Sequence, residues 1–395
     1  MNVKFSTKFV AASAAAVMAL SLAGCSGGSM DDSSSSGAKA SGDSITIGTV
    51  TTNSGTAAAY GEAEVKGFEL AVSEINAKGG INGKKVKLES MDDKGDATEA
   101  SNAFNKLAGD NNVLAVAGPT ISATTAAVAP LADQSKLVTI APAATSDSIE
   151  TGDYMFRTCF KDSYQGEVAA RFAAENLKVK KVAVLYGTGD PYSSGVGEAF
   201  AKAAEKLGLE VVDKESSSSA DDTEYSSQLQ KIQASGAELL YAPYYYSVAG
   251  PYIIPQARSV GFEGYVMGPD GYDGLKLTGD KSQYNKTYYT THYSADDNTN
   301  TKVQDFIKSY KSKNNAEPNT FAALGYDTIY MIKQAIEKAG KNATREDVRN
   351  AVASMTFDGV TGKFTMDKSG SPTKSVIVLE MKDGKPVYNT TVQPK

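Results

Sequence analysis

The chain has 395 residues, 41% hydrophobic and 22% charged, proportions ordinary for a globular protein and a length that allows two domains, each with its own core. A formal net charge of −6 and the lack of a basic stretch argue against a nucleic-acid partner. Histidine occurs once, at His292, and cysteine twice, so no His/Cys cluster exists for zinc.

The first residues read as targeting signal. Lys4 and Lys8 accompany an apolar run over 9–22 that is too short to span a bilayer comfortably. The run ends in Leu22-Ala23-Gly24-Cys25, which resembles the bacterial lipobox. That resemblance implies that residues 1–24 are a lipoprotein signal peptide cut before Cys25. The Cys25 thiol would then carry a diacylglyceryl group, and two acyl chains on one residue give stable anchoring. Residues 25–43, with four consecutive serines from Ser33 to Ser36, cannot bury enough surface to fold and form a flexible tether. With Cys25 lipidated no intramolecular disulfide is possible, and Cys159 reads as a small buried hydrophobe.

From Ser44 onward, strand-like runs over 45–50, 86–91, 113–118, 137–141, 181–187, 209–214, 238–242, 265–268 and 287–292 alternate with helix-period segments over 61–78, 97–109, 122–133, 165–177, 195–207, 222–234 and 248–260. This alternation predicts an α/β fold with mainly parallel sheets. Nine strands exceed one comfortable sheet, so two doubly wound lobes are expected. Helices over 301–313, 320–339 and 345–353 follow, and then a hairpin around Asp383-Gly384. A helical block and a hairpin placed after the alternating section suggest re-entry into lobes already started, with several crossovers and hence a hinge.

Several strand ends carry candidate chemistry. The run over 137–141 stops at Pro142 and leads into Ala143, Ala144, Thr145, Ser146 and Asp147, the kind of small-residue loop where ligands bind open α/β sheets. Taken alone, an ordinary strand-to-helix turn is the better explanation. Gly118-Pro119-Thr120-Ile121-Ser122 places Ser122 at an expected N-cap, where a hydroxyl and free N–H groups also suit a carboxylate. Met267-Gly268-Pro269-Asp270-Gly271 ends another strand in a single carboxylate, either an exposed turn residue or a ligand contact. Tyr60 is a staple residue or a ligand platform, and the tyrosines from Tyr241 to Tyr246 pack a core or line a pocket.

Other motifs read as structure. Gly79-Gly80 caps the preceding helix, and Asp92-Asp93-Lys94-Gly95-Asp96 lacks the EF-hand spacing and caps the next helix. Gly187-Thr188-Gly189-Asp190-Pro191-Tyr192 lacks the third glycine of a dinucleotide loop and the Lys-Ser/Thr pair of a P-loop. Ser-His-Asp catalysis would have to use His292, and no Gly-x-Ser-x-Gly elbow is present. No catalytic residue, metal or cofactor is expected.

Taken together, Tyr60-Gly61 with Asn76-Ala77-Lys78-Gly79-Gly80-Ile81, then Pro142-Ala143-Ala144-Thr145, then Gln256-Ala257-Arg258 and Met267-Gly268-Pro269-Asp270-Gly271 resemble the leucine/isoleucine/valine-binding proteins of ABC importers, from about Ser44 to the C-terminus. The resemblance implies a type I periplasmic-binding-protein fold, a Venus flytrap of two α/β lobes joined by three crossovers. It divides the chain into lobe 1 over 44–163 plus 292–364 and lobe 2 over 164–291 plus 365–395. It also implies an amino acid in the interlobe cleft. Ser122 and Thr145 would take its carboxylate, the Ala143 carbonyl and Asp270 its ammonium, and Ala144 would be small to admit ligand near its backbone. Tyr60, Tyr192, Tyr246 and Gly271 would line the cleft. Implied partners are an ABC permease with its ATPase subunits. Implied location is the outer face of a bacterial cell membrane, as a lipid-anchored monomer. A same-fold receptor feeding a sensor, or a binder of an amide, urea or aromatic acid, is the alternative. Asp270 stands where the family often has Glu, and the disulfide some members carry beside the 118–122 loop is missing.

Overall fold

The computed structural model describes residues 44–296 and 300–394. The expected signal peptide, Cys25 and the tether lie outside the described residues. Strands β1 (Ser44–Thr51), β2 (Lys85–Asp92), β3 (Val113–Ala117), β4 (Val138–Ala141) and β5 (Met155–Arg157) form a parallel sheet in the order β2-β1-β3-β4-β5. Every residue of β3 and β4 is buried, which is why both read as unbroken apolar runs. Helices α1 (Ala58–Ala77), α2 (Ala97–Gly109) and α3 (Ser122–Ser135) connect these strands. The acidic turn before α2 acts as expected, with the Asp96 carboxylate accepting from Thr98 N and Glu99 N.

The chain then leaves this sheet. Helix α4 (Asp162–Phe172), β6 (Lys181–Gly187), α5 (Pro191–Lys206), β7 (Glu210–Ser217), α6 (Ser226–Ala234) and β8 (Leu239–Tyr241) begin a second lobe. It continues with the short helices α7 (Tyr246–Val248) and α8 (Ile254–Ser259), then β9 (Tyr265–Gly268) and β10 (Thr287–Thr291). The single helix expected over 248–260 is broken by a π-type turn over Ala249–Ile253, where Gly250, Pro251 and Pro255 weaken or remove the regular i→i−4 bonds.

Helices α9 (Thr301–Asn314), α10 (Thr320–Ala339) and α11 (Arg345–Ala353) and a hairpin of β11 (Thr356–Gly359) and β12 (Gly362–Thr365) follow. Ile332, Ile336, Val352, Phe357 and Phe364 from this block share a core with β1, β3 and β4 of the first sheet. Helix α10 meets α1 backbone to backbone: a Cβ on Gly67 would stand 2.2 Å from the Ala322 carbonyl oxygen, so only glycine fits there. Finally β13 (Val376–Lys382) and β14 (Lys385–Val392) add antiparallel strands to the second sheet, whose order is β14-β13-β10-β9-β8-β6-β7.

The chain thus passes between the sheets three times, after β5, β10 and β12. Each passage brings a buried residue to the same region: Cys159, His292 and Lys374. The Lys374 ammonium acts electrostatically on both of the others. Its Nζ donates to Thr361 Oγ1 at 2.9 Å, and that hydroxyl donates to Asp327 of α10 at 2.7 Å. The Asp327 carboxylate also accepts from the backbone N–H groups of Val360 and Thr361 at 2.9 and 2.7 Å. No described helix is long and apolar enough to cross a membrane.

Candidate functional site

Parallel strands end with backbone groups that no neighbour satisfies, and ligands bind there. In the first lobe β3 and β4 run into the loops 118–122 and 142–147. Ile121 occupies the N-cap of α3, so Ser122 is the first helical residue and not the cap expected from the sequence. Its hydroxyl instead accepts from Ser146 N at 3.1 Å and stitches the two loops together. The buried Arg157 guanidinium donates to the Ala144 and Thr145 carbonyls at 3.2 and 2.6 Å. The Cys159 thiol also donates to the Ala144 carbonyl, at 3.2 Å. Burial pushes that thiol up to about 12, so it is an inert packing group. These two carbonyls are engaged within the lobe, while Ala143 faces the cleft. Thr145 is fully buried, and its side chain lies beside the buried Asp162 carboxyl group.

In the second lobe β9 delivers Asp270, which is 2% exposed. Tyr192 Oη, from the first turn of α5, donates to Asp270 Oδ1 at 2.9 Å and accepts from Gly271 N at 2.8 Å. A Cβ on Gly271 would meet that same hydroxyl at 2.6 Å, which accounts for the glycine. His292 Nε2 lies 3.3 Å from Asp270 Oδ2, and its ring stacks on Phe160 at 3.6 Å. Burial pushes the imidazole down to about 4, so it is neutral at pH 7 and donates Nε2–H to the carboxylate. Among the described residues no lysine or arginine pairs with Asp270. The site therefore holds a buried carboxylate without a cation.

The lobes meet through Tyr60, whose hydroxyl donates to the Gly271 carbonyl at 2.5 Å and accepts from Tyr246 N at 3.0 Å. Tyr246 Oη returns the contact by accepting from Ala59 N at 3.3 Å. The Tyr60 ring stacks on Phe321 of α10 at 3.9 Å and meets Tyr245 edge-on. Between the lobes lies a narrow cleft.

Six of the residues singled out from the sequence border this one cleft: Tyr60, Ser122, Ala143, Tyr192, Asp270 and Gly271. Ala144 and Thr145 sit behind its wall, and Tyr246 bridges the lobes while its neighbour Tyr245 supplies the lining. The sequence reading missed Thr120, Ile121, Tyr245 and Phe321 as lining residues and His292 as the partner of Asp270. Thr120, Ile121 and Tyr245 lay inside stretches already marked. Phe321 comes from a helix that only the second passage returns to the cleft, and nothing local in the sequence announces it.

Residues 44–386 match the family described as periplasmic binding protein. The chain is 30% identical over 352 residues to the Leu/Ile/Val-binding protein homolog 3 of Brucella melitensis, covering 86% of this chain and 92% of that one. It is 29% identical over 333 residues to the leucine-, isoleucine-, valine-, threonine-, and alanine-binding protein of Pseudomonas aeruginosa, covering 83% and 87%. Among solved structures, the branched-chain amino acid transporter substrate binding protein LivJ of Streptococcus pneumoniae, in complex with isoleucine, is similar with a TM-score of 0.82 and 32% identity, covering 89% of this chain and all of that chain.

Proposed function

Because the chain belongs to the periplasmic binding protein family, a family of solute binders rather than enzymes, we propose that it captures an amino acid between its lobes and delivers it to an ABC importer. The observation that carries this reading is Asp270, a buried carboxylate with two neutral donors and no cation. A ligand ammonium supplies the missing charge, and desolvation strengthens that pairing. Opposite it, the first amides of α3 are unsatisfied by the helix itself and, with Ser122, suit a carboxylate. A zwitterion fits both ends. An aromatic acid without an ammonium group would meet Asp270 with like charge. The names of the similar proteins support a branched-chain or other small apolar side chain, held against Ile121, Tyr245 and Phe321.

In this reading Ala143 offers its carbonyl to the ammonium, while Ala144 and Thr145 shape the loop behind it. Tyr60 and Tyr246 close the cleft, and ligand contacts from both lobes favour the closed form that the permease and its ATPase subunits would meet. The lobes divide at the three passages, after β5, β10 and β12. The mature protein works as a monomer, held on the outer face of the cell membrane through Cys25. Metabolic labelling with a radioactive fatty acid should mark the wild-type chain and not Cys25→Ser; equal labelling would remove the anchor.

A thermal-shift screen tests the ligand class. Leucine, isoleucine, valine, alanine or threonine at 100 times its dissociation constant should add about 2.7 kcal/mol of stability, with benzoate and urea adding none. A shift produced by benzoate and by no amino acid would overturn the reading.

A further inference from the structure

Glu64, on α1, is a carboxyl group to which no role in the site has been assigned. It is 0% exposed, although its sequence neighbour Glu62 is on the surface. Its Oε2 lies 2.6 Å from Thr120 Oγ1, and Thr120 borders the cleft beside Ser122. The same Thr120 oxygen accepts from Thr52 N at 3.1 Å. Glu64 Oε1 is buried with no hydrogen-bond partner. An ionised carboxylate left in that state would keep an unsatisfied charged oxygen in a low-dielectric interior, whereas a neutral acid leaves only a carbonyl oxygen there.

The surroundings point the same way. Asp93, at the end of β2, is the ionisable group whose charge acts on Glu64, and it disfavours a second negative charge. Helix α10 backs the site with Gly325, whose Cβ would stand 2.6 Å from the Glu64 carbonyl oxygen. The 118–122 loop and the end of β1 offer Thr120 and Thr52. Among the described residues no cation pairs with Glu64. Burial raises its carboxyl from the usual 4.5 to about 8.

We propose that Glu64 is kept as the neutral acid and donates its proton to Thr120 Oγ1, so that the Thr120 hydroxyl turns into the cleft as a donor to the ligand's carboxylate. With Glu64 ionised, Thr120 spends its only hydrogen on Glu64 and has none left for the ligand. Glu64 is thus a positioning residue for the carboxylate end of the site. This inference rests on the reading that the ligand carries a carboxylate.

The sign of the pH dependence follows. The ligand favours the protonated form of Glu64, so affinity is highest below about 8 and falls as pH rises through that value. Calorimetric titration with L-isoleucine, or with whichever amino acid shifts melting most, should show roughly tenfold weaker binding at pH 9 than at pH 7 beyond the ligand's own ammonium titration. In Glu64→Gln the amide donates to Thr120 at every pH, so this excess dependence should vanish. Parallel pH profiles in the two proteins would overturn the inference while leaving amino-acid binding intact. Failure of the wild type to bind any amino acid at pH 7 would overturn the amino-acid reading itself, and this inference with it. Should Glu64→Gln not fold, titration of the wild type at pH 8.5 in two buffers of different ionisation enthalpy decides. Uptake of more than about half a proton per ligand supports the role, and no uptake overturns it.

Discussion

Asp270→Asn is expected to weaken amino-acid binding at least about 100-fold, roughly 3 kcal/mol, because among the described residues Asp270 is the one acidic side chain lining the cleft and so the countercharge for a desolvated ammonium. The carboxylate now accepts from two donors, Tyr192 Oη on one oxygen and His292 Nε2 on the other. Asparagine has one acceptor oxygen, so its amide N–H₂ must face one of those donors. The ligand-free protein should melt no lower than the wild type, since a buried charge without a cation is itself a cost to the fold. Calorimetric titration and thermal melting of the purified variant check the two halves. Binding within threefold of wild type would remove Asp270 from the ammonium site.

Asp327→Ala should destabilise the protein by about 3–5 kcal/mol, the usual penalty for stripping one member from a buried charge cluster. Asp327 and Lys374 are each 1% exposed. The substitution orphans the backbone N–H groups of Val360 and Thr361 and the Thr361 hydroxyl together. It also leaves Lys374, whose ammonium burial already pushes down to about 8, without its compensating carboxylate. Urea unfolding should show a lower midpoint with an unchanged slope. A midpoint equal to wild type would mean that this cluster does not hold the third passage.

Burial decided which features could be read from the sequence. Strands β3 and β4 lie between two layers of helices, so their sequences carry no polar alternation to confuse them with surface strands. By contrast β5 is three residues long and ends in the buried Arg157, and neither its length nor its composition signals a strand. Ser122 was expected to cap α3, but a cap depends on backbone angles, and Ile121 takes the extended conformation there. Within the tyrosine run, Tyr245 lines the cleft and Tyr246 crosses it. They occupy a turn where neither the strand nor the helix period applies, so spacing could not rank them. Glu64 is one of four glutamates on the long helix α1, where an acidic residue reads as solvated. Its burial exists only because α10 returns from more than 200 residues away to cover α1.

Cys159, His292 and Lys374 give the three passages a shared, solid floor. Two bodies joined by one strand can swing, twist and slide. Joined by three strands that cross in one packed place, they keep essentially a single rotation. On the proposed reading such a molecule would work like a calliper, with whatever sits between the jaws converted into one closing angle. A receptor that grips both lobes then measures the ligand without touching it.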